Sequence, residues 1–390
     1  MRILIIWAES INRYSGGTMH LMGWCYGLGA LGHEVKVVAP CYGRGKKSLI
    51  ENASYIRLPR RCLMSFVLLQ IAIVFCLPYW ILRYRPEAIC VRACFLAFLM
   101  ACICKLAGIP IIVEAGTIVD EEMSMRGESR LLAILVRFFE RLNYRWINGL
   151  VCVTDGAREE YIRRGANPDT TVVIHNAAQT DIMRPMDQKC ARRQLGLAEE
   201  DYIVGFAGTL APWQGLDLLV RAAKEVVDNS GRSVKFLLVG EGQCQEQLEE
   251  MVDQLDLGQS FSFLAPMPYE QVAVFNNACD VVVIPIYDPR KLRYGIDPLK
   301  FWEALAVGVP VLLPEGCQLD DILEQLGLPG TFRPGDNKHL AETILEVLAQ
   351  TEHHQARRED VHRIVSEQYS WTHVAEKLAE HCRRLRRKTQ

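Results

Sequence analysis

Short, continuously apolar runs recur along this chain, each separated from the next by a longer stretch of helical character, and the series runs twice. The first series comprises ILII (3–6), EVKVVAP (34–40), AICVR (88–92), PIIVEAG (110–116), LVCVTD (150–155) and TVVIHN (171–176). The second comprises YIVGFAG (202–208), KFLLVG (235–240), SFSFLA (260–265), DVVVIP (280–285) and PVLLP (310–314). Unbroken apolar character marks strands covered on both faces, and helical spacers make their pairing parallel. The expected class is therefore α/β, with two facing, doubly wound, Rossmann-like domains and a cleft between them. The domains are expected over 1–180 and 181–368, with a linker near 177–187. A final helix over 369–390, starting near Ser370 and Trp371, is expected to pack back on the first domain.

A chain of 390 residues, half of them hydrophobic, has enough apolar surface for two such cores. Its net charge of -2 conceals an asymmetry: residues 1–185 hold 22 Lys/Arg and 15 Asp/Glu, leaving 22 and 31 for the remainder. A basic half can face phosphates, an anionic membrane or an acidic acceptor; the same imbalance also arises by chance. No nucleic-acid partner is expected. The 14 cysteines form no CxxC pair, and the lone CxC of Cys102 and Cys104 lies in an apolar run, where burial outweighs ligation. Together with a first strand that begins at once, with no leader ahead of it, this predicts a reducing, cytoplasmic setting.

Residues 62–82 contain no charged side chain, a length that satisfies the usual membrane-span criterion of about 20 residues. A span here would put the first strands and the rest of their sheet on opposite sides of a bilayer. Pro78 also interrupts the run. The expected element is a core helix with excess apolar surface. It is flanked by Arg60, Arg61, Arg83, Arg85 and Arg92, which fits monotopic binding to an anionic leaflet on the inner face of the cell membrane. Plain burial is the alternative. The basic tail (Arg383, Arg384, Arg386, Arg387, Lys388) reads as a solvated helix end.

Three loops carry the chemistry. Gly16 and Gly17 stand between the first strand and a helix expected near 17–31, where the backbone can approach an anion. Gly208-Thr209-Leu210-Ala211-Pro212-Trp213-Gln214-Gly215 follows the first strand of the second series, and Gly240-Glu241-Gly242 the next. Each alone is also ordinary turn punctuation. Neither GxGxxG nor GxxxxGK[ST] occurs. The most informative stretch is YGIDPLKFWEALAVGVPVLLP (294–314). Asp297 is expected to cap a helix starting at Pro298, with Lys300 in its first turn and Glu303 three residues on, on the same face. A helix N-terminus with a lysine can hold a diphosphate, and the glutamate can accept two ribose hydroxyls. An exposed Lys/Glu pair on a surface helix is the equal alternative.

These stretches, with HNAAQTDIMRP (175–185) and LLVGEG (237–242), resemble glycosyltransferase family 4 over nearly the whole chain, in its variant with Pro-x-Lys before the glutamate. The resemblance implies retaining enzymes of the GT-B fold that use a nucleoside-diphosphate sugar, UDP by default, with no metal or further cofactor. It implies that Glu303 holds the ribose and that Lys300, with Pro298 and Leu299, meets the donor phosphates. Gly16 and Gly17 would approach the diphosphate, and Gly240 with Glu241 would lie near the nucleoside. Thr209 and Gln214 stand where the family often has Arg and Lys, and Gly295 where it often has a first glutamate. Val113-Glu114-Ala115-Gly116 lacks the family's frequent histidine, and Asn176-Ala177 replaces its Asn-Gly. Glu114 or Glu121 would then meet the acceptor or sugar, and Arg290, Lys291 and Arg293 are candidate substitutes for the missing cations. The acceptor implied is lipid-linked or a polysaccharide. A sugar-nucleotide epimerase, with His20 and His175 as its acid/base candidates, and a non-catalytic partner protein remain the rival readings.

Overall fold

The computed structural model describes residues 1–11, 15–42, 50, 53–58, 63–116, 118–125 and 129–389; Arg60 and Arg61 fall outside them. The chain divides into two compact units, Met1–Asn176 with Trp371–Gln390, and Ala177–Ser370.

The first unit is built on β1 (Arg2–Trp7), β2 (Glu34–Tyr42), β3 (Ser54–Leu58), β4 (Ala88–Arg92), β5 (Ile111–Ala115), β6 (Gly149–Cys152) and β7 (Thr171–Val173). They form one sheet in the order β3-β2-β1-β4-β5-β6-β7. Every pairing is parallel, so all strands exit at the same edge. Its helices before the final one are α1 (Gly16–Ala30), α2 (Leu63–Tyr84), α3 (Ala97–Leu106), α4 (Val119–Met125), α5 (Arg130–Trp146) and α6 (Asp155–Arg163). Strand β3 was not anticipated; it lies at the sheet edge, and most of its residues are only partly buried, which leaves SYIRL without a continuous apolar signal.

Helix α2 is the uncharged run. It packs Leu69, Ile73, Leu77 and Trp80 onto the apolar cluster of β1 and β4, while Met64, Val67, Leu68, Ile71, Phe75, Tyr79 and Leu82 stay exposed. By length and composition it could cross a membrane. Its place in the chain excludes that for this fold, because β1 before it and β4 after it are neighbours in one sheet. Pro78 does not interrupt the helix; it is exposed inside it. Gln70, buried on this helix, accepts from the Phe95 amide and donates to the Ala93 carbonyl, which holds the β4–α3 turn.

The final helix, Trp371–Thr389, belongs to the first unit. Two glycines of α1 make the contact: a Cβ on Gly23 would stand 2.1 Å from the Trp371 ring, and one on Gly27 2.1 Å from its carbonyl oxygen. Its basic end is partly engaged, since Arg386 pairs with Glu87 and Arg384 bonds His381.

The second unit repeats the plan with β8 (Tyr202–Ala207), β9 (Val234–Val239), β10 (Phe261–Leu264), β11 (Val281–Val283), β12 (Val311–Pro314) and β13 (Thr331–Phe332), ordered β10-β9-β8-β11-β12-β13 and all parallel. The two-residue β13 is too short for a sequence signal. None of the described cysteines is bridged.

Trp371, 3% exposed, seats the final helix. Trp371→Ala is expected to lower the stability of the first unit by about 3–5 kcal/mol, read in chemical denaturation; a loss below about 1 kcal/mol would show that the seat lies elsewhere.

Candidate active site

In the second unit the exits of β8 and β9 touch. Gly240 has φ 140°, and a Cβ there would lie 1.9 Å from the Gly208 carbonyl oxygen. The loops are then laced together: Gly208 N–H donates to Val239, Leu210 N–H to Glu241, and Cys244 N–H to Leu210. These bonds leave the Thr209 and Glu241 side chains exposed. Beyond them the chain makes a tight turn at Pro212–Gln214, and Gly215, at φ 71°, starts the helix Leu216–Asn229.

Gln214 and Lys300 meet here. Lys300 Nζ donates to Gln214 Oε1 at 3.0 Å and sits 3.7 Å from the centroid of the Phe206 ring. A Cβ on Gly208 would come within 2.7 Å of the same Nζ, so the glycine makes room for the ammonium. Glu303 lies one turn further along the helix Leu299–Ala306 and is 9% exposed. Its carboxylate has no hydrogen-bond partner among the described residues. Burial pushes Glu303 up to about 7, opposed by Lys300, and pulls Lys300 down to about 7, opposed by Glu303. Desolvation thus outweighs mutual attraction at both groups, as at sites that hold charge for a ligand rather than for the fold.

Asp297 does not cap this helix. The residue before its first turn is Pro298, in extended backbone and with no side-chain cap. The Asp297 carboxylate instead accepts from Trp302 Nε1 at 2.6 Å, because a buried indole N–H needs an acceptor. Pro298, the residue before the first turn, offers Leu299 and Lys300 no side-chain cap. Gly295 has φ 74°, and a Cβ there would strike Gln318 Oε1 at 2.4 Å, so a glutamate at this position would carry backbone strain and a clash. Of the neighbouring cations, Arg290 pairs with Asp288 at 2.6 Å and Arg293 lies over the Tyr294 ring.

The first unit gathers a second polar group at the exits of β1, β4 and β5. Arg92 and Glu114 are register partners, and Arg92 Nη1 donates to both Glu114 oxygens at 2.8 and 2.7 Å. Arg92 Nε donates to Glu9 at 3.0 Å, and the guanidinium covers the Trp7 ring. Arg92 is thus committed to this cluster and is not a membrane-facing flank of α2. Burial raises the Glu114 carboxyl and Arg92 opposes it. With both oxygens taken, Glu114 is an anchored counter-ion. Glu9, missed in the sequence, is the more open carboxylate, its side chain 39% exposed. It reaches the first turn of α1, where a Cβ on Gly17 would meet its Oε2 at 2.3 Å, while Gly16 has open space. The two glycines are the first residues of that helix, with Ser15 as its cap. His20 Nδ1 lies 2.5 Å from Asn176 Oδ1 and Nε2 3.9 Å from Glu114, with Trp7, Trp24 and Trp371 packed around the ring. Glu121 and His175 are half-buried, on α4 and after β7. Among the described residues no group of three His, Cys, Asp or Glu could hold a metal ion.

Two parallel-sheet Rossmann-like units define the GT-B fold, the fold of the glycosyltransferases that this chain resembles in structure. Residues 187–379 match the glycosyl transferases group 1 family, and residues 15–177 match the glycosyl transferase 4-like domain. It is 30% identical over 223 residues to D-inositol 3-phosphate glycosyltransferase of Nocardia farcinica, a match covering 55% of this chain and 48% of that protein. The chain thus spans about half the length of the curated relative it matches. The fold is similar to sucrose-phosphate synthase from Thermosynechococcus elongatus (TM-score 0.77, 18% identity, 98% of each chain). It is also similar to HepE from Anabaena in complex with UDP and glucose (TM-score 0.74, 19% identity, 97% of this chain and 98% of that one).

Gly240→Ala is expected to force the two glycine loops apart, lowering the unfolding stability of the second unit by about 1–3 kcal/mol. Unchanged thermal unfolding would contradict the contact with Gly208.

Proposed function

We propose that this chain is a retaining glycosyltransferase that moves a sugar from a nucleoside-diphosphate sugar, UDP-sugar by preference, to a lipid-linked or polysaccharide acceptor on the cytoplasmic face of a membrane. The observation that carries the donor site is Glu303, a buried carboxylate without a hydrogen-bond partner among the described residues, one turn from a desolvated lysine. A buried polar group left unpaired costs about 1–3 kcal/mol, and a ribose diol would satisfy it. The UDP of HepE supports a uridine donor, and the exposed apolar side of α2 supports a membrane-borne acceptor.

In this reading Lys300 and the uncapped first turn of its helix hold the diphosphate, with Gln214 orienting the ammonium. Thr209, Gly240 and Glu241 border the nucleotide on the laced loops. Bond cleavage moves negative charge onto the leaving diphosphate, and preorganised donors there lower the barrier directly. The leaving oxygen takes the acceptor's proton on the same face, so configuration is retained and no separate base is needed. Glu114, held by Arg92, is a positioning residue in this scheme, and Glu9, with one oxygen on Arg92 and its side chain 39% exposed, is the carboxylate that can meet an acceptor hydroxyl. The enclosure of His20 by three tryptophans leaves an epimerase no acid/base face at that residue.

Across a panel of UDP-, GDP-, ADP- and dTDP-sugars, a UDP-sugar should raise the melting temperature and release UDP slowly. No response to any of them would sink the donor assignment. Lys300→Ala and Glu303→Ala should each lower kcat/KM by about 100–1000-fold. Glu303→Ala should melt no earlier than the parent, because it removes a desolvated carboxyl; near-normal turnover in both variants would refute the site.

Bringing a diphosphate to Lys300 raises its pKa from about 7, so binding takes up a proton at and above that pH. UDP affinity should therefore fall as pH rises beyond 7, with proton uptake seen by calorimetry in buffers of different ionisation enthalpy. Affinity flat over that range would show that Lys300 is not the phosphate partner.

A further inference from the structure

The helix Leu299–Ala306 gives the donor site an order along its axis. Glu303 lies inside it, Lys300 in its first turn and Pro298 just before it. A nucleoside diphosphate with its ribose at Glu303 and its phosphates at Lys300 points its bonded sugar back toward residues 294–298. The inference below rests on that donor reading and goes one group further along the same molecule.

The stretch itself supplies little for a sugar hydroxyl to meet. Ile296 is buried, Pro298 has no polar side chain, and the Asp297 carboxylate is turned in to the Trp302 indole N–H. The Tyr294 ring lies under the Arg293 guanidinium, and Gly295 has no side chain. The polar group over this stretch comes instead from the turn after β12. Ile296 N–H donates to the Cys317 carbonyl at 3.0 Å, which fastens that turn to the entry of the helix. Gln318 is the next residue. A Cβ on Gly295 would stand 2.4 Å from Gln318 Oε1, 2.8 Å from its Cδ and 3.2 Å from its Cβ, so the glutamine side chain lies along the glycine.

The backbone imposes this placement. Cys317 and Leu319, 0 and 1% exposed, anchor the turn on both sides, while Gln318 between them is exposed. Gln318 has φ 66° and faces Gly295 at φ 74°. Left-handed backbone is strained for a glutamine, and such strain gathers at functional sites. A glycine would meet the same requirement without strain, as Gly316 does two residues earlier at φ 79°. What the glutamine adds is an amide at a fixed point. An amide both donates and accepts, the two roles that a sugar hydroxyl answers.

We propose that the Gln318 amide reads a hydroxyl group of the sugar carried by the donor, so that Gln318 selects among nucleoside-diphosphate sugars. Gly295 is its complement, because the missing side chain leaves the amide its place over the entry of the helix.

The test is UDP release by the full chain from UDP-glucose, UDP-galactose and UDP-N-acetylglucosamine, with UDP protection against thermal unfolding measured alongside. Gln318→Ala should lower kcat/KM for the preferred sugar about tenfold, the upper end for one net hydrogen bond. It should leave the other two sugars and the UDP protection nearly unchanged. Gln318→Gly should flatten the preference equally and melt no earlier than the parent, since it also relieves the left-handed strain; this separates reading from folding. A preference kept in both variants, with UDP protection intact, would overturn the proposal and leave the donor site standing. An equal fall with all three sugars would make Gln318 part of the loop's framework and overturn it as well. A parent chain that UDP does not protect would refute the donor site, and the proposal with it.

Discussion

A parallel strand can be followed in its own sheet only through a crossover, and every strand of both sheets here is parallel. This constraint sends each chain exit to the same edge of its sheet. It brings Gly208 and Gly240 together at the ends of neighbouring strands, and it sets Glu9, Arg92 and Glu114 at the ends of β1, β4 and β5. Neither group is close in sequence. The same constraint requires helices on both faces, which makes α2 a covering helix by its place in the chain despite a composition that would suit a bilayer.

The two polar groups at those edges are held in opposite ways. Around Arg92 both oxygens of Glu114 and one of Glu9 are occupied, and this coordination opposes, without cancelling, the desolvation that raises the Glu114 carboxyl. At Lys300 and Glu303 the coordination is sparser: one amide oxygen and one aromatic face serve the ammonium, and no hydrogen-bond partner among the described residues serves the carboxylate. The first arrangement is complete in itself and stiffens the strand ends. The second is incomplete among the described residues, which is what the proposed donor site rests on. Gln214 in place of a cation fits this division, since a neutral acceptor can orient Lys300 without an added charge to desolvate.

The fold was legible because burial on both faces writes an unbroken apolar run, as in ILII and DVVVIP. It failed where burial failed, at the partly buried edge strand β3 and the two-residue β13. In the second unit Lys300, Glu303 and the glycine turns were legible, because helix spacing and glycine conformation are local properties. The Asp297 cap was misread because the competing donor, Trp302 Nε1, is a matter of burial that local spacing does not reveal. In the first unit Glu114 was picked out and Arg92 was assigned to a membrane flank, while Glu9 went unnoticed. Their grouping depends on register across three strands, information that a linear chain carries only once its pairings are known.

What the fold does not explain is the surplus of apolar surface on the first unit. A helix laid on a sheet needs one apolar stripe; α5 has two, and α2 exposes seven large apolar side chains beyond the four it buries. Each exposed side chain forgoes about 1.5–3 kcal/mol of transfer free energy in water and adds to the risk of association. The second unit, built to the same plan and about the same size, has no large apolar side chain of comparable exposure among its described residues beyond Met186. Since both units solve the same packing problem, the excess on one of them is not a requirement of the fold plan among the described residues.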